Sequence, residues 1–167
     1  MTIRVFFALW PDADVAARLH AIALQRHAVL GGRVMREDSL HATLVFIGDV
    51  APQCLPALQS AAAEMQAHEF SMTLDESGCW RHNHIAYLGM RQIPESLRGL
   101  QSSLAEKLRK AGFTLETRPF SPHVTLLRKA ECAASGKENP AAEPVAWTVR
   151  DFVLVKSSVG ANGSRYE

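Results

Sequence analysis

No apolar run in this sequence approaches the roughly 20 residues a helix needs to cross a bilayer. The opening Thr2-Ile3-Arg4-Val5-Phe6-Phe7 is too short an apolar stretch for a secretory signal and runs directly into structure. A cytoplasmic protein that engages no membrane is expected. Cysteine is scarce: Cys54, Cys79 and Cys132 are scattered, odd in number and without Cys-x-x-Cys spacing, which indicates neither a disulfide framework nor a zinc ribbon. They are expected to be buried or incidental thiols. An excess of charge of one sign is missing too, since 18 Lys and Arg stand against 17 Asp and Glu for a net charge of +1. A protein that grips long nucleic acid through a broad basic footprint would be far more positive. Only a small basic site remains compatible.

What is present in quantity is apolar side chain. At 47% hydrophobic over 167 residues, the chain can bury a proper core, and residues 1–167 are expected to form a single two-lobed domain. Within it, one tetrapeptide pattern occurs twice: His41-Ala42-Thr43-Leu44 and His123-Val124-Thr125-Leu126. Both lie in short β-branched and apolar runs that read as strands. Residues i and i+2 of a strand share a face, so each strand offers an imidazole beside a hydroxyl, His41 with Thr43 and His123 with Thr125. Ala42, Leu44 and Phe46, like Val124 and Leu126, are expected to face the core. A single His-x-Thr in a strand is usually structural. Composition yields one His-x-Thr-Leu in roughly a few of a hundred such sequences and two in roughly a few of ten thousand, which moves the weight to function.

The repetition reaches beyond the tetrapeptides. Ser39 and Ser121 stand two residues before each histidine, and both segments are preceded by an apolar strand and a helical pattern. Val5 to Leu9 leads through a Pro-Asp turn to a helix with Val15, Leu19, Ile22 and Leu30. Ile85 to Met90 leads through Pro94-Glu95 to Leu97, Leu100, Leu104 and Leu108 at near-helical period. Strand, helix and motif strand recur in each half. The pattern implies an α+β fold built as a pseudo-twofold duplication, with the motifs facing across a cleft.

Elsewhere Leu55 to Gln66 reads as a helix, Phe70 to Leu74 as a strand and Trp147 to Ser157 as a last long strand, before a glycine-rich tail at 160–163. Glu131 to Pro144 has loop composition. Phe7, Phe46 and Trp80 could stack on a base, but core packing is the expected role for each. Arg33, Arg36, Arg118, Arg128 and Lys129 flank the motifs. Surface charge is the default for them, and Arg128, just past the second motif, is retained as functional. On an ideal strand Arg128 has the opposite parity to His123, so joining that face requires the strand to end, twist or bulge before it.

The paired motifs, the opening Arg-Val-Phe-Phe-Ala-Leu-Trp-Pro, Ser-Leu-His-Ala-Thr-Leu-Val-Phe-Ile-Gly and Arg-Pro-Phe-Ser-Pro-His-Val-Thr-Leu-Leu-Arg together resemble the two-histidine phosphoesterase superfamily. Within it the sequence is most similar to the bacterial and archaeal RNA 2′,3′-cyclic phosphodiesterases, also called 2′-5′ RNA ligases. The resemblance implies two antiparallel sheets lining a central cleft, with helices outside. It also implies His41 as proton donor, His123 as proton acceptor, Thr43 and Thr125 as phosphate-binding hydroxyls and Arg128 as a phosphate contact. The implied substrates are RNA ends or small cyclic nucleotides. A monomer without metal or other cofactor is expected.

Elementary chemistry leads the same way. Opening a cyclic phosphodiester needs an activated water, a proton for the departing ribose oxygen and donors for the phosphate charge. Two imidazoles can divide the proton transfers, and hydroxyls with one guanidinium can hold the anion. Two other readings compete. A metal-dependent phosphohydrolase would enlist His82 and His84, although that His-x-His, with no carboxylate or thiol at ligand spacing, reads better as a turn with exposed imidazoles. A non-catalytic RNA-end or nucleotide-binding module would use the cleft only to hold phosphate, a task better served by Arg or Lys than by two histidines.

Overall fold

The computed structural model describes residues 1–66, 68–133 and 139–167, the last group with backbone alone at 139–142. Three residues beyond the apolar strand Ile3–Leu9 (β1), Asp12 caps the helix that follows, Ala13–Leu30 (α1), by accepting the Val15 N–H at 2.9 Å. That hydrogen bond satisfies one of the donors a helix start leaves open. Gly31, at φ +61°, closes α1. The chain then runs through Arg33–Val34 (β2), a single 3-10 turn at Glu37–Ser39, Ala42–Val50 (β3), Leu55–Ala63 (α2), Phe70–Trp80 (β4), Ile85–Gly89 (β5) and Glu95–Lys110 (α3). His123–Arg128 (β6), Asn139–Val149 (β7), Val153–Gly160 (β8) and Gly163–Tyr166 (β9) complete it. The leucine stripe of α3 is buried as its period requires, through Leu97, Leu100, Leu104 and Leu108.

The strands form one antiparallel sheet in the order β7-β4-β5-β6-β3-β1-β8-β9, with β2 also against β6. The two antiparallel sheets expected are the two halves of this one sheet. The halves β7-β4-β5-β6 and β3-β1-β8-β9 are continuous through one rung, Ala42 opposite Val124. Past that rung the edge of β6 is taken over by β2, with Arg33 opposite Arg128, while residues 35–41 leave the sheet through the 3-10 turn. The two halves part there. Gly32 permits the close approach of β2, because a Cβ there would run into the backbone of Arg128 to Ala130.

Helices cover one face. The main core unites Leu19 of α1, Leu58 of α2 and Leu104 of α3 with Ala42, Leu88 and Val124 of the sheet. Each such leucine contributes roughly 1.5–3 kcal/mol by burial. The opposite face carries a small second cluster of Phe6, Ala8 and Val155 with Trp10 and Tyr166. Helices outside and strands within agree with the expectation.

Several boundaries differ from the sequence reading. The helix expected over 55–66 ends at Ala63. The single strand expected over 147–157 is two strands, β7 on β4 at one end of the sheet and β8 on β1 towards the other, because alternation reports a half-buried strand but not its partner. The loop expected over 131–144 lies partly outside the described residues, at 134–138; from Asn139 it is already β7. Pro140 and Pro144 are tolerated there since β7 is an edge strand and needs fewer N–H donors. The expected tail at 160–163 is the turn joining β8 to β9.

The cysteine expectation is overturned in part. Cys79, near the end of β4, and Cys132, just after β6, form a disulfide with Cα atoms 5.4 Å apart. Their separation of 53 residues carries no spacing signature. Only the pairing of β4, β5 and β6 returns the chain to that point. Cys54 is a free, partly buried thiol.

Candidate active site

The site lies on the sheet face not covered by helices, at the junction of the two motif strands. Ala42 and Val124 point into the core from opposite sides of the joining rung. His41 and Thr43 flank Ala42, and His123 and Thr125 flank Val124, so strand alternation turns all four to the open face on either side of that rung. The two imidazoles are near enough for His123 to act electrostatically on His41.

Both rings are fixed in the same way. His41 Nδ1 donates to the Ser39 carbonyl at 2.7 Å, and His123 Nδ1 donates to the Ser121 carbonyl at 2.9 Å. A carbonyl can only accept, so Nδ1 carries hydrogen in each ring and Nε2 is left for chemistry. Ser39, 3% exposed, is itself held by the 3-10 turn, its hydroxyl donating to Asp38 and accepting from Arg36.

Arg128 reaches this face through a bulge. On β6, Thr125 pairs with Tyr87 and Leu127 with Ala86, which leaves Leu126 as an extra residue. Leu126 and Leu127 are both fully buried, and the parity of everything beyond them is inverted. Arg128 thus joins His123 and Thr125, close enough to push down the pKa of both histidines. β3 repeats the device: Val45 pairs with Phe7 and Thr43 with Ala8, so Leu44 is the extra residue. Leu44 and Val45 are buried, and Phe46 emerges 39% exposed on the site side instead of entering the core as expected.

Aromatic rings enclose the histidines. Trp10 stacks on His41 with centroids 4.8 Å apart and an interplanar angle of 7°, Phe6 lies at 5.1 Å and the edge of Tyr166 at 5.0 Å. This burial pushes the His41 pKa down from 6.5 to about 4, against the bond to Ser39 and with smaller help from His123 and Arg128. His123 meets Trp80 edge-on at 4.6 Å and Tyr87 at 5.8 Å. Its pKa is also lowered, by burial first and by Arg128, with the Ser121 bond opposing. In the free protein both shifts favour the neutral ring, most strongly for His41.

A cavity of about 490 Å³ opens beside His123 and Thr43, walled by Phe46, Trp80, Arg109 and Phe120. Of the aromatics considered for base stacking, Phe7 is core, as expected, while Phe46 and Trp80 line this cavity. Trp10, Phe6, Tyr166 and Tyr87 were missed by sequence reasoning. β1 is apolar on both faces, so its alternation gives no sign that Phe6 and Trp10 look towards a site, and Tyr166 arrives from the far end of the chain.

The other flanking cations serve elsewhere. Arg36 pairs with Asp38, Arg118 with Glu116 on the cavity rim, and Arg33 donates to the Asn162 carbonyl. Lys129 is exposed at φ +55°. His82 and His84 sit on the β4–β5 turn, where His84 Nδ1 bonds the Ala130 carbonyl at 3.2 Å and His82 borders the cavity. Among the described residues no three His, Cys, Asp or Glu converge as metal ligands, and no helix is long and apolar enough to cross a membrane.

Paired, backbone-tethered imidazoles with threonine hydroxyls and a guanidinium on one sheet face define a phosphoesterase of the two-histidine kind. Comparison with known proteins agrees. The profile of the 2′-5′ RNA ligase superfamily matches residues 11–161, and the chain belongs to that superfamily. It is 32% identical over 163 residues to an RNA 2′,3′-cyclic phosphodiesterase of Escherichia coli K12, covering 98% of this chain and 92% of the relative. An Archaeoglobus fulgidus protein of the same name is 25% identical over 172 residues, covering 99% and 97%. The crystal structure of E. coli LigT complexed with 3′-AMP superposes with a TM-score of 0.87 at 32% identity, covering 100% of this chain and 95% of that one.

Proposed function

We propose that this protein is an RNA 2′,3′-cyclic phosphodiesterase that opens a cyclic phosphate end to a 2′-phosphate by acid–base catalysis shared between two histidines. The observation that carries the reading is the pair of Nδ1-tethered imidazoles at the Ala42–Val124 junction with Arg128 near both. His123 takes a proton from water through Nε2, the water oxygen bonds to phosphorus, and the bond to the ribose 3′ oxygen breaks. His41 gives its Nε2 proton to that departing oxygen. Thr43, Thr125 and Arg128 hold the non-bridging oxygens through hydrogen bonds, the Arg128 contact being charge-assisted. The substrate's negative charge supplies what His41 lacks in the free protein, a counter-charge that makes its protonated form accessible.

No step calls on a metal. With an RNA 5′-hydroxyl in place of water as the attacking group, the same ring opening, in which the 3′ oxygen leaves and takes the His41 proton, joins a 2′-5′ phosphodiester; hydrolysis dominates because water is far more abundant. RNA ends and small cyclic nucleotides both fit the proposal, as does a cytoplasmic monomer. The likeness over nearly the whole chain to proteins named for this activity supports it.

Product analysis on a short RNA with a 2′,3′-cyclic end tests the reading. A 2′-phosphate is the expected product. A 3′-phosphate, or binding of the RNA without turnover, overturns it; the second result would favour the binding-module alternative.

A further inference from the structure

We infer that the Cys79–Cys132 disulfide is a redox-controlled clamp that holds Trp80 against His123, which makes Trp80 a positioning residue and turnover sensitive to the oxidation state of this pair. The inference rests on the phosphodiesterase reading for its activity readout, and on geometry for everything else.

Cys79 immediately precedes Trp80. The Trp80–Ile85 pair is the last rung of the β4–β5 hairpin before the turn, so strand pairing ends at the tryptophan. Beyond it the tip is held from the side by the chain that leaves β6. Ala130 N donates to the His84 carbonyl at 2.9 Å and His84 Nδ1 to the Ala130 carbonyl at 3.2 Å. Cys132 supplies the disulfide, with its Sγ 3.5 Å from the Trp80 carbonyl. The Cα separation of 5.4 Å is ordinary for a disulfide. The fastening therefore falls on the residues flanking Trp80.

Trp80 passes that restraint to the site. Its ring stacks on Tyr87 with centroids 4.0 Å apart and meets His123 edge-on at 4.6 Å. Tyr87 lies over Gly78, its cross-strand partner, where a Cβ would overlap the phenol ring. Trp80 is at once a lid over His123 and a wall of the 490 Å³ cavity. The second motif lies within the covalent loop that the disulfide closes, since His123 falls between residues 79 and 132.

Reduction by glutathione is balanced as one disulfide plus two thiols giving two cysteine thiols and one glutathione disulfide, through a mixed-disulfide intermediate. With the bridge open the hairpin tip loses its covalent tie to the chain leaving β6, though it keeps its hydrogen bonds to residue 130, and the cover over His123 loosens. Water then reaches a ring whose pKa is lowered chiefly by burial, so that pKa rises. The titratable and charged groups around His123 are His41 just before β3, Arg128 on β6, Tyr87 on β5, His82 on the turn and, lining the same cavity, Arg109 on α3 with Glu116 and Arg118 after it; none of them is altered chemically by reduction.

The test compares oxidised protein, protein reduced with glutathione and confirmed by thiol titration, and the double variant Cys79→Ser with Cys132→Ser, using a 2′,3′-cyclic mononucleotide. Reduction should raise the acid-limb pKa of kcat/KM by about half a unit or more, a loss of about threefold below it, and the double variant should match the reduced protein. Trp80→Ala should show the shifted profile already and respond no further to reduction, while Cys54→Ser should respond like the native chain. The inference is overturned if full reduction leaves the profile unchanged, or if Trp80→Ala keeps the redox response. If the double variant does not fold, reduced native protein decides alone. If no cyclic nucleotide is turned over, the phosphodiesterase reading fails separately, and NMR titration of the His123 ring in the two redox states still accepts or rejects the clamp.

Discussion

Phe46 and Arg128 stand at equivalent places on the two motif strands, each two residues beyond a bulged leucine, Leu44 or Leu126. The same backbone irregularity turns both side chains from the core face to the site face. One strand thereby contributes an aromatic surface and the other a cation. The two strands share a construction but present different chemistry to the site.

Removing either imidazole should stop the chemistry without unfolding the chain. His41→Ala and His123→Ala are each expected to lower kcat on a cyclic-ended RNA by at least about a hundredfold, with the native circular dichroism spectrum retained. Incubation of the native protein with a chelator should leave the rate unchanged. Full activity in His41→Ala would remove it from the acid role.

Arg128 has two separable effects. Arg128→Ala should lower kcat/KM by about ten- to a hundredfold, because a charge-assisted hydrogen bond contributes about 1.5–3 kcal/mol. Loss of the guanidinium should also raise the pKa of both His41 and His123, which it now holds down. NMR titration of the two rings reads that directly. Unchanged ring titrations would place the guanidinium away from the site.

Acid should destabilise the fold through His41. Its pKa is about 4 in the folded chain against 6.5 ordinarily, so between these values the unfolded chain holds the proton and the native chain does not. Stability is then complete above about pH 6.5 and is lost as pH falls towards 4, by on the order of 3 kcal/mol. His123, lowered for the same leading reason, adds in the same direction. Urea unfolding at pH 7 and pH 5 should show the loss, and His41→Gln should reduce it. An identical pH slope in that variant would refute the assignment.

Two glycines should respond oppositely to alanine. Gly78→Ala pushes a methyl group into the Tyr87 ring and is expected to cost about 1–3 kcal/mol. Gly99 is exposed within α3, and a Cβ added there would meet nothing within 4 Å, so Gly99→Ala should stabilise by about 0.5–1 kcal/mol. Thermal unfolding of the two variants compares them.

Much of the site was legible in the residues alone. His41, Thr43, His123 and Thr125 could be placed on common faces because strand parity is a local property, and α1 and α3 announced themselves through the spacing of their leucines. Arg128 was legible as chemistry but not as geometry, since its parity pointed away and only the Leu126 bulge brings it round. Phe46 was misplaced for the same reason. The aromatic enclosure of His41 was invisible because its members come from β1 and β9, more than 150 residues apart along the chain.

By itself, then, the order of residues determined which groups are the candidates for the chemistry, that they come as a matched pair on strands, and that helices lie outside the strands. Tertiary structure alone decided that the sheet is continuous, that two bulges redirect Arg128 and Phe46, that Cys79 meets Cys132, and that His41 is partly buried among aromatic rings. The physical reason is range. Side-chain direction along a strand follows from neighbouring backbone geometry, whereas register, desolvation and crosslinking depend on segments that become neighbours only when the chain has folded.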